Sequence, residues 1–144
     1  MITAIVGTLV LILCGALIWA VATERGPGPE DVAVAYELAW DKRDFESLYT
    51  LAGRELRDGL DRRQFIGAKR AAFPERRTMT GLVSQIGVAD SATAGPAAIV
   101  ATRVESHDGI VVCNCVDLAR RNGHWEVVGY RLAPNAEAAP APAT

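Results

Sequence analysis

The stretch Ile110–Leu132, IVVCNCVDLARRNGHWEVVGYRL, decides the fold. Two runs rich in β-branched and aromatic residues flank Asn122-Gly123, a dipeptide suited to a two-residue turn whose central residues take positive φ. Ile110 to Arg121 and His124 to Leu132 therefore read as a hairpin. Upstream, Asp108-Gly109 marks another tight turn, entered by a strand from Ala97 to Ser106. A further strand begins at Met79, where Thr80, Leu82, Ile86 and Val88 follow a period of two and Gly81 and Gly87 mark bends. ADSATAGP, residues 89–96, reads as a loop.

Two-residue turns fix register. The Asn122-Gly123 turn sets Arg121 opposite His124, Arg120 opposite Trp125, Leu118 opposite Val127, Asp117 opposite Val128, Cys115 opposite Tyr130 and Cys113 opposite Leu132. The Asp108-Gly109 turn sets Val104 opposite Cys113, Thr102 opposite Cys115, Val100 opposite Asp117 and Arg103 opposite Asn114. Cys113 and Cys115 then share one face of one strand with parallel side chains about 6.5 Å apart, a poor geometry for a disulfide. His124 lies about 20 Å from them along the sheet, so no metal site is expected.

Ahead of the strands the period changes. Val32, Ala35, Tyr36, Ala39 and Trp40 recur at helical spacing, behind a first turn carrying Pro29, Glu30 and Asp31. Asp44 caps a second helix, FESLYTLA, which ends at Gly53. Asp61 and Gln64 form a capping-box pair at the start of a third, which stops at Pro74. The fold class is α+β, with helices packed on a bent antiparallel four-stranded sheet.

The ends differ from this middle. Residues 2–22 carry no charge and are long enough to cross a hydrocarbon core of about 30 Å. They are expected to be a transmembrane anchor; a cleaved signal peptide ending at Ala20-Val21-Ala22 is the alternative. Domain boundaries follow: anchor 1–23, linker 24–29, α+β domain 30–133 and a disordered Ala/Pro-rich tail 134–144. Arg25, Lys42 and Arg43 after the span favour a single-pass protein of the cell membrane with its domain in the cytoplasm. The net charge of −2 over 144 residues gives no general attraction for nucleic acid. Three cysteines are an odd number and imply no disulfide framework.

The order of elements resembles the nuclear-transport-factor-2-like superfamily, whose fold is also called a cystatin-like cone. Trp40, Asp44, Phe45, Leu48 and Tyr49 carry the resemblance in the helical part, and Gly123, Trp125 and Val127 carry it in the last hairpin. It covers about residues 29 to 133. The resemblance implies helices packed into the concave side of the sheet, often with a pocket and often in dimers. Members include ketosteroid isomerases, polyketide cyclases, dehydratases and membrane-anchored bacterial proteins. No acid/base set of those enzymes matches residue by residue.

Several side chains invite a functional reading. Asp117, standing between Val100 and Val128 in the expected register, is the one candidate general acid or base, because apolar neighbours disfavour a carboxylate's charged form. Tyr36, Trp40 and Tyr130 are candidates to line a pocket, with plain core packing as the alternative. Arg103, Asn114 and Arg131 form a row on the opposite face, either an anion site or a solvated surface. The segment from Arg54 to Arg77 holds eight Lys/Arg and four Asp/Glu, and its Arg62, Lys69 and Arg70 are candidate contacts to anionic lipid.

No cofactor is implied. The expected partners are membrane lipid through residues 2–22 and a protein, or a second copy, through the sheet face. The expected function is a non-catalytic binding or interaction module beside the bilayer. A small-molecule enzyme of isomerase, cyclase or dehydratase type, using Asp117, is the alternative.

Overall fold

A computed structural model describes residues 26–73 and 81–133. The helices are α1 (Pro29–Lys42), α2 (Phe45–Leu51) and α3 (Arg62–Ala72). The strands are β1 (Val83–Ala94), β2 (Ala97–Ser106), β3 (Val111–Arg121) and β4 (His124–Leu132), paired in that order as one antiparallel sheet. This is the expected α+β architecture. The expected anchor at 2–22 and tail at 134–144 lie outside the described residues. Among the described residues no helix is long and apolar enough to cross a membrane.

Local chemistry sets the helix ends. Asp44 caps α2 by accepting from the Ser47 amide at 3.1 Å. Asp61 and Gln64 cap α3 reciprocally, at 2.9 and 3.1 Å. Both caps satisfy amide groups that a helix's first turn leaves unpaired. Gly53 plays a different part from the expected helix stop. Its amide donates to the Val127 carbonyl at 2.7 Å, and a Cβ there would come within 3.1 Å of Val128 Cγ1. The backbone leaving α2 runs close against β4, so a side chain here would press on Val128 and displace the Glu55 carboxylate.

The helices cover one face of the sheet. Val32, Ala33, Tyr36 and Ala39 of α1 join Phe45 and Leu48 of α2, Phe65 of α3 and Ala98, Val100, Val116, Leu118 and Val127 of the sheet in a buried core. The buried stripe of α1 runs through 32, 33, 36, 37 and 39, with Ala33 and the acid Glu37 in place of the expected Ala35 and Trp40. Asp41 ties the far end of α1 to the sheet by accepting from the Leu82 and Val83 amides. At the other end, Arg121 pairs with Glu55 and Glu126, joining the loop after α2 to the last hairpin.

Register departs from expectation at two places. The Asn122-Gly123 turn has the expected two residues, both with positive φ, and pairs Arg121 with His124 and Leu118 with Val127. Beyond Leu118 a β-bulge inserts Val128, so Asp117 faces Gly129, Val116 faces Tyr130 and Asn114 faces Leu132. The β2–β3 turn is one residue longer than expected. Ser106 donates its amide to Ile110 and accepts from Gly109, whose φ is +83°, giving a three-residue loop with glycine in its left-handed position. Thr102 consequently faces Asn114, and Arg103 faces Cys113. The strand β1 runs on to Ala94 through two bulges, so most of the expected loop at 89–96 is paired.

Leu48 is 1% exposed and Leu132 71% exposed. Leu48→Ala is expected to lower unfolding free energy by about 2–5 kcal/mol, the range for a buried leucine. Leu132→Ala is expected to change it by no more than about 0.5 kcal/mol. Urea denaturation of both variants checks the assignment of inner core and open rim.

Candidate functional site

Beneath α1 the structure buries one acid. Glu37 is 5% exposed and meets three donors from three different strands. Its Oε1 accepts from the Thr102 hydroxyl at 2.6 Å and the Asn114 amide at 2.9 Å. Its Oε2 accepts from the Tyr130 hydroxyl at 2.8 Å. A buried carboxylate is tolerated only when such partners replace its water. Asn114 has its Nδ2 committed to Glu37, and its Oδ1 is buried without a partner.

Aromatic rings stand around this cluster. Tyr36 lies 5.5 Å from Tyr130 and 6.4 Å from Trp40, centroid to centroid, and Trp40 continues to Phe45 and Phe73. The three expected pocket residues, Tyr36, Trp40 and Tyr130, are thus brought together. Burial raises the Tyr36 phenol above its ordinary range, and the nearby Trp40 N–H partly counters that rise. That N–H has no well-formed hydrogen bond. Tyr130 is raised much further, first by burial and then by the charge and hydrogen bond of Glu37.

Asp117 is elsewhere. In place of the expected Val100 and Val128, its neighbours across the ladders are Ile99 and Gly129, on the sheet face that the helices leave open. There it pairs with Arg131. A Cβ on Gly129 would lie 2.6 Å from its Oδ2, so glycine makes the room it occupies. The expected row of Arg103, Asn114 and Arg131 is split by the two register changes. The arginines stay exposed on the open face and Asn114 turns into the core. Cys113 and Cys115 are free thiols on that open face. Among the described residues no group of three or more His, Cys, Asp or Glu could hold a metal ion.

The candidate lipid contacts are also dispersed. Arg62 pairs with Glu46 at 2.7 Å on the surface. Lys69 lies over the Trp40 and Phe65 rings at 5.5 and 5.2 Å, covering aromatic surface with its stem. Arg70 is exposed.

Sequence reasoning missed Glu37 and Thr102, and set Asn114 on the wrong face, in a row with Arg103 and Arg131. One signal was available: an acid at position 37 sits one residue from Tyr36 and four from Ala33 on the face that α1 buries.

The inner face of the sheet continues past the reach of the helices. There Val88, Val112, Tyr130 and Leu132 remain exposed, with Ile86 and Val104 half-buried among them. These side chains make an apolar patch, or mouth, on that face, beside the buried Glu37, Thr102 and Asn114.

No protein-family model matches the chain, and no curated relative does. Among solved structures it is similar to a SEC-C motif containing protein from Rhodopseudomonas palustris, with a TM-score of 0.51 and 19% identity over 84% of this chain and 89% of that one. That likeness concerns the fold alone. A hypothetical protein with a ketosteroid isomerase-like fold from Catenulispora acidiphila, solved in complex with trimethylamine, matches at a TM-score of 0.43 and 15% identity over 76% of this chain and 88% of that one. A likeness at that level carries no weight for this chain.

The tyrosines give a pH signature. Both phenols hold their protons in the folded chain beyond the ordinary value of 10.0. The folded state therefore binds more protons than the unfolded state above that pH, so stability falls as pH rises through and beyond it. Urea denaturation between about pH 9 and 11 is expected to show this fall, and Tyr130→Phe to make it shallower.

Removing the acid tests the cluster itself. Glu37→Ala strands the buried Thr102 and Asn114 donors and is expected to cost about 1–3 kcal/mol for each group left unsatisfied. Thermal unfolding of Glu37→Ala beside the milder Glu37→Gln measures it.

Proposed function

We propose that the chain is a membrane-tethered, non-catalytic binding module of the nuclear-transport-factor-2-like type, and that the apolar mouth is its binding surface. The observation that carries this reading is the rim of Val88, Val112, Tyr130 and Leu132, exposed beside a buried acid that is already engaged. An exposed contiguous apolar patch edged by polar groups is a usual form of a site that binds. Both acids are already engaged: Glu37 accepts from three donors and Asp117 pairs with Arg131. A general base needs an oxygen within reach of its substrate's proton.

The tether fits the same reading. Residues 2–22, uncharged throughout, span the cell membrane in this proposal, with the domain on the cytoplasmic side where Arg25, Lys42 and Arg43 follow. Gly26 and Pro27, the first described residues after the span, share a groove with Leu51, Gly123 and Trp125. Tethering raises the effective concentration of the mouth toward partners at that surface without any catalytic residue.

The test uses the full chain in phosphatidylcholine nanodiscs, with methyl spectra of Val, Leu and Ile recorded during titration with 2-phenylethanol, a neutral hydrophobic probe. Shifts are expected to concentrate on Val88, Val112 and Leu132 and to vanish in the Val112→Asp, Leu132→Asp double variant. Shifts spread evenly over the surface, or none at the mouth, would sink the reading. Full chain that leaves the membrane on alkaline carbonate washing would remove the tether.

A further inference from the structure

The sheet face that the helices leave open carries two thiols with a cation beside each. Cys113 and Cys115 flank Asn114 on β3, so both project from that face while Asn114 points into the core. Both are free and half-buried, within reach of solutes. Across the ladders Arg103 of β2 faces Cys113 and Arg131 of β4 faces Cys115. Their remaining neighbours, Ala101 and Ala133, are small and leave the thiols open.

Spacing decides what the pair can do. Residues two apart on a strand lie roughly 6.5 Å from each other. Parallel projection keeps their Cβ atoms about that far apart, against the ~3.8 Å that a disulfide needs. An ion held in a line between two thiolates needs only that the sulfurs stand two metal–sulfur bonds apart, about 4.6 Å at a bond of ~2.3 Å. Strand side chains lean along the strand in either of two common rotamers, so two sulfurs leaning toward each other close to that range.

The ligands then select the metal. Thiolates are soft and suit copper(I), zinc or iron–sulfur clusters. Structural zinc and iron–sulfur clusters take four ligands, and among the described residues no group of even three His, Cys, Asp or Glu is assembled. Copper(I), with its filled d shell, is satisfied by two.

We propose that Cys113 and Cys115 bind one copper(I) ion as a two-coordinate bis-thiolate site on the open face. Each thiol releases its proton to solvent as its S–Cu bond forms. Copper stays in the +1 state, and the complex is left with a single excess negative charge. Arg103 and Arg131 neutralise that charge from the two flanking strands, Arg131 while also holding Asp117. The site lies on the face opposite the mouth and does not rest on the reading of the mouth.

The experiment uses the full chain with Cys14→Ser, which removes the only other thiol. The protein, in phosphatidylcholine nanodiscs without oxygen, competes with bicinchoninate for copper(I). It is expected to withdraw one copper per chain, with X-ray absorption showing two sulfur neighbours at the metal. Cys113→Ser and Cys115→Ser, both off the core, are each expected to weaken binding about 10²–10⁴-fold, the advantage of two linked ligands over one. The Arg103→Ala, Arg131→Ala double variant keeps both thiols and is expected to bind about tenfold more weakly, the worth of one charge-assisted contact. Copper left with the chelator, a metal with one sulfur neighbour or with three, or affinity that survives either cysteine substitution overturns the site. Affinity indifferent to the two arginines is the behaviour of any bare dithiol and overturns it as well.

Discussion

A carboxylate removed from water has to be surrounded by donors, and Glu37 meets that condition only when α1 and three strands are in place together. Thr102 comes from β2, Asn114 from β3 and Tyr130 from β4. No two of these residues are neighbours in sequence, so the cluster forms with the tertiary structure or not at all. Apolar packing around it is tolerant of rearrangement by comparison: valines and leucines bury equally well in several alignments, whereas three donors reach one carboxylate in few. The acid therefore acts as a register key for the helix-covered face, the best-attested structural use of a buried polar group.

Two one-residue irregularities make the key fit. The three-residue loop His107–Gly109 brings Thr102 opposite Asn114, where a two-residue turn would have set Cys115 there. The bulge at Val128 brings Tyr130 onto the inner face opposite Val116; an unbroken ladder would have placed it with Cys115 on the other side. Because side chains alternate along a strand, each change moves every residue beyond it to the opposite face. The same two shifts place Asp117 beside Gly129 and leave Arg103 and Arg131 on the open face.

What could be read from the chain beforehand follows from the range of the forces involved. The helix caps at Asp44 and Asp61 and the Asn122-Gly123 turn are local, set by a few adjacent residues, and the structure has them as expected. The division into helices followed by a meander is legible for the same reason, since hydrophobic period is a property of a short window. The bulge at Val128 is not local: EVVGY offers the same β-forming character with or without an insertion, and only the demand of Glu37 for a third donor favours one. The β2–β3 loop was misread because Asp108-Gly109 suits both a two-residue turn and the last two positions of a three-residue loop. Glu37 itself was hidden by the rule that found the helix, which counts apolar positions and passes over a charge on the buried stripe.

The two acids that bear on function separate along the same line. Asp117 drew attention because a wrong register enclosed it in valines. On the true register it has an arginine, a glycine and solvent, and a charge so placed contributes little beyond a surface pair. Glu37 attracted none, because a glutamate in an amphipathic helix is ordinarily read as solvated. Its helix is fixed at both ends, by Asp41 to the start of β1 and by the Ser91 hydroxyl, which donates to Glu30 at 2.5 Å. With its helix held at both ends and its oxygens bonded to residues of three strands, the carboxylate stays beneath α1. Each buried donor or acceptor left unmet counts against a misaligned sheet, so the acid selects one register.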